Sequence, residues 1–577
     1  MAGTREDMLA ELRARPEVQA IIVGGGINGV GTFRDLALQG VRVLLVERGD
    51  FCGACSAAPS RMIHGGLRYL ENGEIGLVRE ALRERDALLR NAPHLVRPLP
   101  TTVPIQHIFS GLLNNAFGVL GLRSKPAERG ALAVKLGLSF YDHLSRDRRT
   151  MPRHSFRWRA DTAALWPDLP RTVRCSATYH DAWVSHPERL GIELIADGTG
   201  ANPEAMALNH VAARGRRGDR VALRDALTGE EFEVRTDLII NATGAWIDET
   251  NTALQDGGLA PAPFVGGTKG SHLILDHPEL YRALNGHMIY FENTDGRVCI
   301  VFPYLGRVLL GSTDIRVEAP EDARCEDNEV AYILKSLSYV FPRIVIRPAD
   351  IVYRYSGVRP LPRSDADFTG RISRDHFLAE VEGDPPTLCL IGGKWTTFRA
   401  FGEQAADRAL AILGMSRCIS TAARPIGGGD GYPATEAGRA ALVAELASKH
   451  GVSDRRALHA VDHYGTAADR VLSFCATVSD DRPVAATGYT TAELRYLIRH
   501  EHARLPADLL QHRTSMAITG TLSSLAIEQA VAVLAEELGW RDAAAAAHER
   551  AFRDRLARFH GLTEVILIGR DRENSRS

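Results

Sequence analysis

A chain of 577 residues is too long for one hydrophobic core, so two or three domains are expected. Its 69 basic and 71 acidic side chains leave a formal charge of −2, which gives no basis for nucleic-acid binding or bulk disorder. The eight cysteines are scattered, some within apolar runs, as in a reduced cytosolic protein rather than a disulfide scaffold. Cys52 and Cys55 have redox-motif spacing but no second pair, so no metal site is expected. The start, MAGTREDMLAELRARPEVQ, is charged and lacks the apolar core of a signal peptide. No apolar run is long enough to span a bilayer, which places the chain in the cytoplasm or on a membrane face.

In chain order, the first strong signal is Ala20 to Asp50. An apolar strand, Ala20 to Val23, runs into Gly24, Gly26 and Gly29 with G-x-G-x-x-G spacing; a helix follows, then a second strand ending at Glu47. Glycine permits the sharp turn and the approach of a pyrophosphate to the backbone, and the helix N-terminus favours the negative charge. A carboxylate at Glu47 can accept hydrogen bonds from a ribose. The context predicts a dinucleotide site; the alternative is a glycine-rich turn without a cofactor. A loop through Ser56, Ser60, His64 and Gly65 follows, and then a charged helix from about Ile75 to Asn91, its charges expected on a solvated face.

Ile105 to Leu120 carries apolar residues at i, i+3, i+4 and i+7, with Arg123, Lys125 and Arg129 beyond. Either the helix packs on the protein core or it lies in a membrane interface with its cations near headgroups. Strands are predicted at Ala177 to Ala182 and Ala205 to Ala213, a helix from Pro187 to about Gly198, and a β-meander from Val221 to Asp237. The apolar strand at Asp237 to Asn241 ends in Ala242-Thr243-Gly244, the strand-plus-ATG signature of flavoproteins with two dinucleotide-binding units, where small residues let the strand end approach the cofactor. Alternating strands from Phe264 to about Tyr355 suggest an antiparallel substrate-domain sheet. Thr387 to Ile391 leads to Gly392-Gly393-Lys394-Trp395-Thr396, a second strand–glycine–helix junction. PIGGGDGY, from Pro425 to Tyr432, reads as a linker, and helices follow to about His560.

The segments GGGINGVGTFRDLALQG, IHGGLRYLENGE, NAPHLV, YDHLSR, DLIINATGAW, GTKGSHLIL, VFPYLGRVLLGSTD, YSGVRPL and GGKWTTFR together resemble the FAD-dependent, respiratory glycerol-3-phosphate dehydrogenases of the amino-acid-oxidase-like flavoproteins. ELRYLIRHEHARLPADLL resembles the start of that family's helical C-terminal domain. The resemblance implies an α/β fold: a Rossmann-like FAD-binding domain formed by residues 18–100, 175–262 and 350–415. An antiparallel-sheet substrate domain would comprise 101–174 and 263–349, and a helical C-terminal domain 425–577. It implies oxidation of sn-glycerol 3-phosphate to dihydroxyacetone phosphate by hydride transfer from C2 to FAD, with quinone as acceptor, on the cytoplasmic membrane face, in a possible homodimer. A related oxidase for another hydroxy acid or amine, and a catalytically silent FAD-binding protein, are the alternatives.

By the same resemblance Arg68, Tyr69, Arg359, Lys394 and Thr313 face the substrate, whose phosphate needs several cations or N–H donors. His272 and His64 are the candidate bases, since a histidine suits proton removal from the C2 hydroxyl; His272 is favoured. Arg359 and Lys394 are candidates for stabilising the reduced flavin. The cofactor would be held by Gly24, Gly26, Gly29, Glu47, Ser56, Ser60, Gly65, Ala242, Thr243, Gly244, Gly357, Gly393, Lys394 and Thr396. One departure stands out. Cys52 to Arg61 replaces a hydroxyl-rich loop with Ala, Cys and Pro, and an expected arginine falls at Ala58. Ser56 and Ser60 are left to keep part of that loop's role.

Overall fold

Odd and even residues of the central strands face two different cores, because side chains alternate across a strand. Ala20 and Ile22, with Val43 and Leu45, pack against helices Ile27–Leu38, Pro187–Ala201 and Phe398–Ile412. Ile21 and Val23, with Leu44 and Val46, pack against a small meander and helix Arg5–Ala14. A strand buried on both faces reads as a continuous apolar run, as Ala20–Val23 does.

The computed structural model describes residues 4–66, 74–106, 131–144, 151–255, 262–293, 295–317, 319–363 and 375–575. A six-stranded sheet has the order Phe377–Val381, Thr387–Ile391, Ile239–Asn241, Ala20–Val23, Val43–Glu47, Met206–Asn209. Its pairs are parallel except that Phe377–Val381 runs against Thr387–Ile391. The covering meander is four-stranded: Glu17–Val18, Glu231–Thr236, Arg220–Asp225 and Val211–Arg217. The single strand expected from Ala205 to Ala213 is broken at His210, whose φ of 57° turns the chain from one sheet into the other.

The second large sheet is antiparallel apart from Met288–Glu292, which runs parallel to Val96–Ile105. Toward one end of it Val265–Leu275 pairs along its whole length with Ile351–Pro362. Cys175–Val184 and Ile351–Pro362, grouped with the nucleotide-binding unit by the sequence reading, pair in this sheet instead. One face packs on helix Asp327–Ser338 through Leu273, Leu275, Ile333 and Leu337. The opposite face, with Ile274, Phe302, Tyr353 and Tyr355, shares a single core with the C-terminal helices.

Two sequence expectations need correction. Helix Ile75–Asn91 keeps Arg79, Arg83 and Arg90 exposed, but Glu84, Arg85 and Asp86 are buried. Arg399 donates to both oxygens of Glu84 at 2.6 and 2.8 Å, and Arg85 reaches Asp181 at 3.0 Å. These partners lie far along the chain, so no local spacing reveals them. The Pro425–Tyr432 stretch, read as a linker, is packed into the fold. Gly428 and Gly429 are buried, and a Cβ on either would strike the Tyr464 or Asn91 carbonyl at 1.8 or 2.3 Å. The amphipathic stretch expected at Ile105 to Leu120, and the cations after it, lie outside the described residues from 107 onward. No helix among the described residues is long and apolar enough to cross a membrane.

Candidate active site

The strand ends of the parallel sheet and one face of the antiparallel sheet enclose a cavity of about 930 Å³. A ligand-binding cleft in an open α/β sheet is expected at the carboxyl ends of its strands, and Val23, Glu47, Ala242 and Gly392 line this one.

Gly24 has a φ of 109°, and a Cβ there would lie 2.7 Å from the Ala242 carbonyl, so only glycine lets the two strand ends meet. Gly29 does not line the cavity. A Cβ on it would sit 2.0 Å from the Gly24 carbonyl oxygen, so its part is to bring the helix down on the turn. Gly26 caps helix Ile27–Leu38 without a side chain of its own; Ser56 Oγ instead accepts the Ile27 N–H at 3.0 Å. Ser56 also accepts at its carbonyl from the Trp395 indole N–H at 3.1 Å, which ties the altered loop to the second glycine junction.

Glu47 ends its strand with both carboxylate oxygens engaged, accepting N–H bonds from Gly25 at 2.7 Å and Gly49 at 2.8 Å. Burial nevertheless raises its proton affinity above the ordinary carboxylate range, against the two N–H donors. Each oxygen keeps a second lone pair for a ligand hydroxyl. At the other junction Gly392 and Gly393 both have positive φ, and a Cβ on Gly393 would strike the Asn28 amide at 2.5 Å. Asn28 Nδ2 donates to the Gly392 carbonyl at 3.0 Å, joining the two glycine turns. Sequence reasoning passed over Asn28; its place in the first turn of the glycine-loop helix was the available signal.

His272, from the antiparallel sheet, is 1% exposed, and neither ring nitrogen has a hydrogen-bond partner among the described residues. It stacks on Tyr355 with ring centroids 5.1 Å apart. Burial, with Arg359 and Arg61 nearby, lowers its pKa to about 3, so the ring is neutral near pH 7 and can accept a proton. Arg359 donates to Asp314 at 3.0 Å, and its guanidinium occupies the space a Cβ on Gly270 would take. Both residues line the cavity with His64, Lys394, Thr396, Ser60, Thr243, Gly244 and Gly357.

Thr313 also lines the cavity, but its hydroxyl is committed, accepting from the Ser271 N–H and donating to Glu329 at 2.7 Å. Gly65 sits behind the wall: its N–H donates to Asp181 at 3.0 Å, and a Cβ would meet the Tyr141 hydroxyl at 2.1 Å. His64 donates its backbone N–H to Thr396 Oγ1 at 3.2 Å, bringing two motifs of distant sequence into register. Gly357 packs on Ala58, with only 2.9 Å between the two Cβ positions, so a larger side chain in the altered loop would crowd it. Arg68 and Tyr69 lie outside the described residues. Leu505, Pro506, Asp508, His512, Phe552 and Arg555 complete one wall from the C-terminal helices. No sequence motif marks these residues as cavity-forming, because only the tertiary fold carries them there.

A dinucleotide fits these walls. Two glycine cradles admit backbone approach, a helix N-terminus faces in with its first N–H held by Ser56, an acid stands at the second strand's end, and a buried imidazole offers two unsatisfied nitrogens.

Residues 19–406 match the family described as FAD dependent oxidoreductase, and residues 419–545 match the C-terminal domain of alpha-glycerophosphate oxidase. The chain is 33% identical over 560 residues to the glycerol-3-phosphate dehydrogenase of a Synechocystis strain, covering 92% of this chain and 95% of that one. It is 29% identical over 510 residues to the D-erythritol 1-phosphate dehydrogenase of Brucella abortus, covering 87% and 95%. Glycerol-3-phosphate dehydrogenase from Bacillus halodurans, solved with FAD, shares the fold at a TM-score of 0.75 and 20% identity over 97% of this chain and 98% of that one. With a glycine cradle, an acid-terminated strand and an ATG strand end assembled around one cavity, the chain belongs to the FAD-dependent glycerol-3-phosphate dehydrogenase family.

Proposed function

We propose that the protein oxidises sn-glycerol 3-phosphate to dihydroxyacetone phosphate and passes the electrons to a quinone. The observation that carries the reading is His272: a buried imidazole in the cavity wall, neutral, unpartnered among the described residues, and next to the Arg359 guanidinium. Bound FAD supplies the hydride acceptor. His272 takes the proton of the C2 hydroxyl through a ring nitrogen. Its proton affinity is low because burial and two arginines oppose a positive ring; a phosphate dianion beside Arg359 offsets those charges and makes it a better base.

Arg359 offers a planar fork to the phosphate, and Asp314 fixes its orientation. Lys394 supplies a second cation from the Gly392-Gly393 junction, and Arg68 and Tyr69 are assigned to the same substrate. His64 is assigned to the flavin side, and Thr313 shapes the pocket through its bond to Glu329. Gly24, Gly26, Gly29, Glu47, Ser56, Ser60, Gly65, Ala242, Thr243, Gly244, Gly357, Gly393, Lys394 and Thr396 are assigned to cofactor binding, Gly29 and Gly65 by packing rather than contact. Attachment to the cytoplasmic membrane face and a homodimer belong to the same proposal.

A second reading has a specific support. The Brucella relative is named for a longer phosphorylated polyol, and the Cys52–Arg61 loop bordering the cavity departs from the family pattern. Anaerobic mixing of the FAD-loaded protein with sn-glycerol 3-phosphate, D-erythritol 1-phosphate, glycerol and glycine separates the possibilities by loss of the flavin's visible absorbance. Bleaching by glycerol 3-phosphate supports the first reading and bleaching by the erythritol ester alone supports the second. Bleaching by glycine alone would point to an amine oxidase.

A further inference from the structure

We propose that Asp508, His512 and Arg513 of the C-terminal helical unit are positioning residues of the FAD site, clasping the Glu47–Gly53 turn into its cofactor-holding shape. The proposal rests on FAD being the cofactor, not on the identity of the substrate.

Glu47 faces the cavity because the turn after it is fixed, with the Gly49 N–H returning to its own carboxylate. What fixes the turn comes from more than 450 positions away. Asp50, three residues beyond Glu47, is buried and accepts from four donors: Arg513 Nη1 at 2.7 Å, Arg513 Nη2 at 2.8 Å, His512 Nδ1 at 2.8 Å and Asn209 Nδ2 at 2.9 Å. Burial alone would raise the Asp50 carboxyl; Arg513 and His512 outweigh it and hold the group well below the usual range, as a carboxylate. Asp508 holds the neighbouring turn. It accepts from His210 Nε2 at 2.9 Å, while the His210 N–H donates to the Gly49 carbonyl at 2.8 Å. Both turns that bound this side of the cavity, 49–53 and 209–210, are thus held by one six-residue stretch.

That stretch, Asp508–Arg513, is a π-helical turn. Wider winding puts residues i, i+4 and i+5 on one side, which is the spacing of Asp508, His512 and Arg513. Such turns are uncommon and recur at functional sites. Two of the three abut the cofactor space: Asp508 and His512 line the cavity with Glu47, and a Cβ on Gly53 would come within 3.1 Å of His512 Cε1, while Arg513 stands behind them. Ligand atoms of Asp50, Asp508 and His512 lie within 4.8 Å of one another, a spacing a metal ion could use. The Arg513 guanidinium already engages both Asp50 oxygens and puts a positive charge where the ion would sit, so the cluster is read as a lock.

The test is FAD affinity. Apoprotein is titrated with FAD and followed by quenching of flavin fluorescence, for wild type, Asp50→Asn, Arg513→Lys and His512→Gln. Arg189→Lys is the control; it disturbs a buried side-chain pair with Glu501 that joins the same two parts of the molecule and does not line the cavity, and the Glu501 main-chain carbonyl that accepts from Arg513 Nε is left in place. Loss of a partner that orients a metal ligand typically weakens a site by about 10- to 100-fold, and the same range is expected for a partner that orients a cofactor-holding turn. Asp50→Asn and Arg513→Lys should therefore raise the FAD dissociation constant at least about tenfold, with a smaller rise for His512→Gln and none for Arg189→Lys. Unchanged FAD affinity in Asp50→Asn and His512→Gln overturns the proposal, and so does an equal loss in Arg189→Lys, which would reduce the lock to ordinary packing. Because FAD affinity is read without substrate, the result stands whichever compound the flavin oxidises.

Discussion

The carboxylates on one side of the cavity and the imidazole on the other are held in opposite ways. On the parallel-sheet side Glu47 accepts from two backbone N–H groups, Asp50 from four donors and Asp508 from a histidine and two backbone N–H groups. On the antiparallel-sheet side His272 is as deeply buried, yet both its nitrogens lack partners among the described residues. A buried polar group without a partner costs about 1–3 kcal/mol, so one that persists in a ligand cavity is best explained by a ligand that completes it. The three carboxylates are built for holding; the His272 ring leaves its chemistry open.

The comparison breaks first, and most severely, at Gly24. Gly24→Ala forces a side chain into the Ala242 carbonyl at a φ of 109°, so the protein should purify folded by circular dichroism but without flavin. Retention of full flavin content would show that the cradle is not needed. Arg359→Leu, on the opposite side, should keep its FAD and lose roughly 10- to 100-fold in kcat/KM for a phosphate ester, as fits a charge-assisted hydrogen bond worth about 1.5–3 kcal/mol. An equal loss for an unphosphorylated substrate would remove Arg359 from phosphate binding.

The buried histidines give a pH dependence. Burial lowers His272, His463, His502 and His560 to about 3, below an unfolded value of about 6.5. Between those values the unfolded chain binds protons that the folded chain does not. The stability these four contribute should therefore be full above pH 6.5 and fall steadily as the pH drops toward 3. Thermal melting at pH 7.5 and pH 5 checks this; a higher midpoint at pH 5 would contradict it. The smallest effect is at Ser56, whose hydroxyl serves one helix N–H. Ser56→Ala should cost about 1 kcal/mol, read as a modest drop in melting temperature.

Much of the nucleotide side was legible in the sequence because its signals are local. The strand–glycine–helix junctions at Gly24 and Gly392, the acid at Glu47 and the bounds of helix Ile75–Asn91 all follow from short-range spacing. What could not be read depends on partners remote in sequence. Glu84 and Arg85 look like a solvated face until Arg399 and Asp181 arrive. The glycines of Pro425–Tyr432 read as a linker by composition, and only the fold brings Asn91 and Tyr464 against them. Arg513 sits in a helical segment whose own spacing says nothing of Asp50. The same limit applies to Thr313, which matches a family motif but spends its hydroxyl on Glu329.

The difference between the two sides rests most directly on His272. The decisive measurement is the stopped-flow rate of flavin reduction by sn-glycerol 3-phosphate in FAD-saturated His272→Gln, beside wild type under anaerobic conditions. Loss of a general base predicts a rate lower by about 10²- to 10⁴-fold with FAD content and affinity unchanged. A wild-type rate, or a loss of FAD that accounts for the whole defect, would contradict the account.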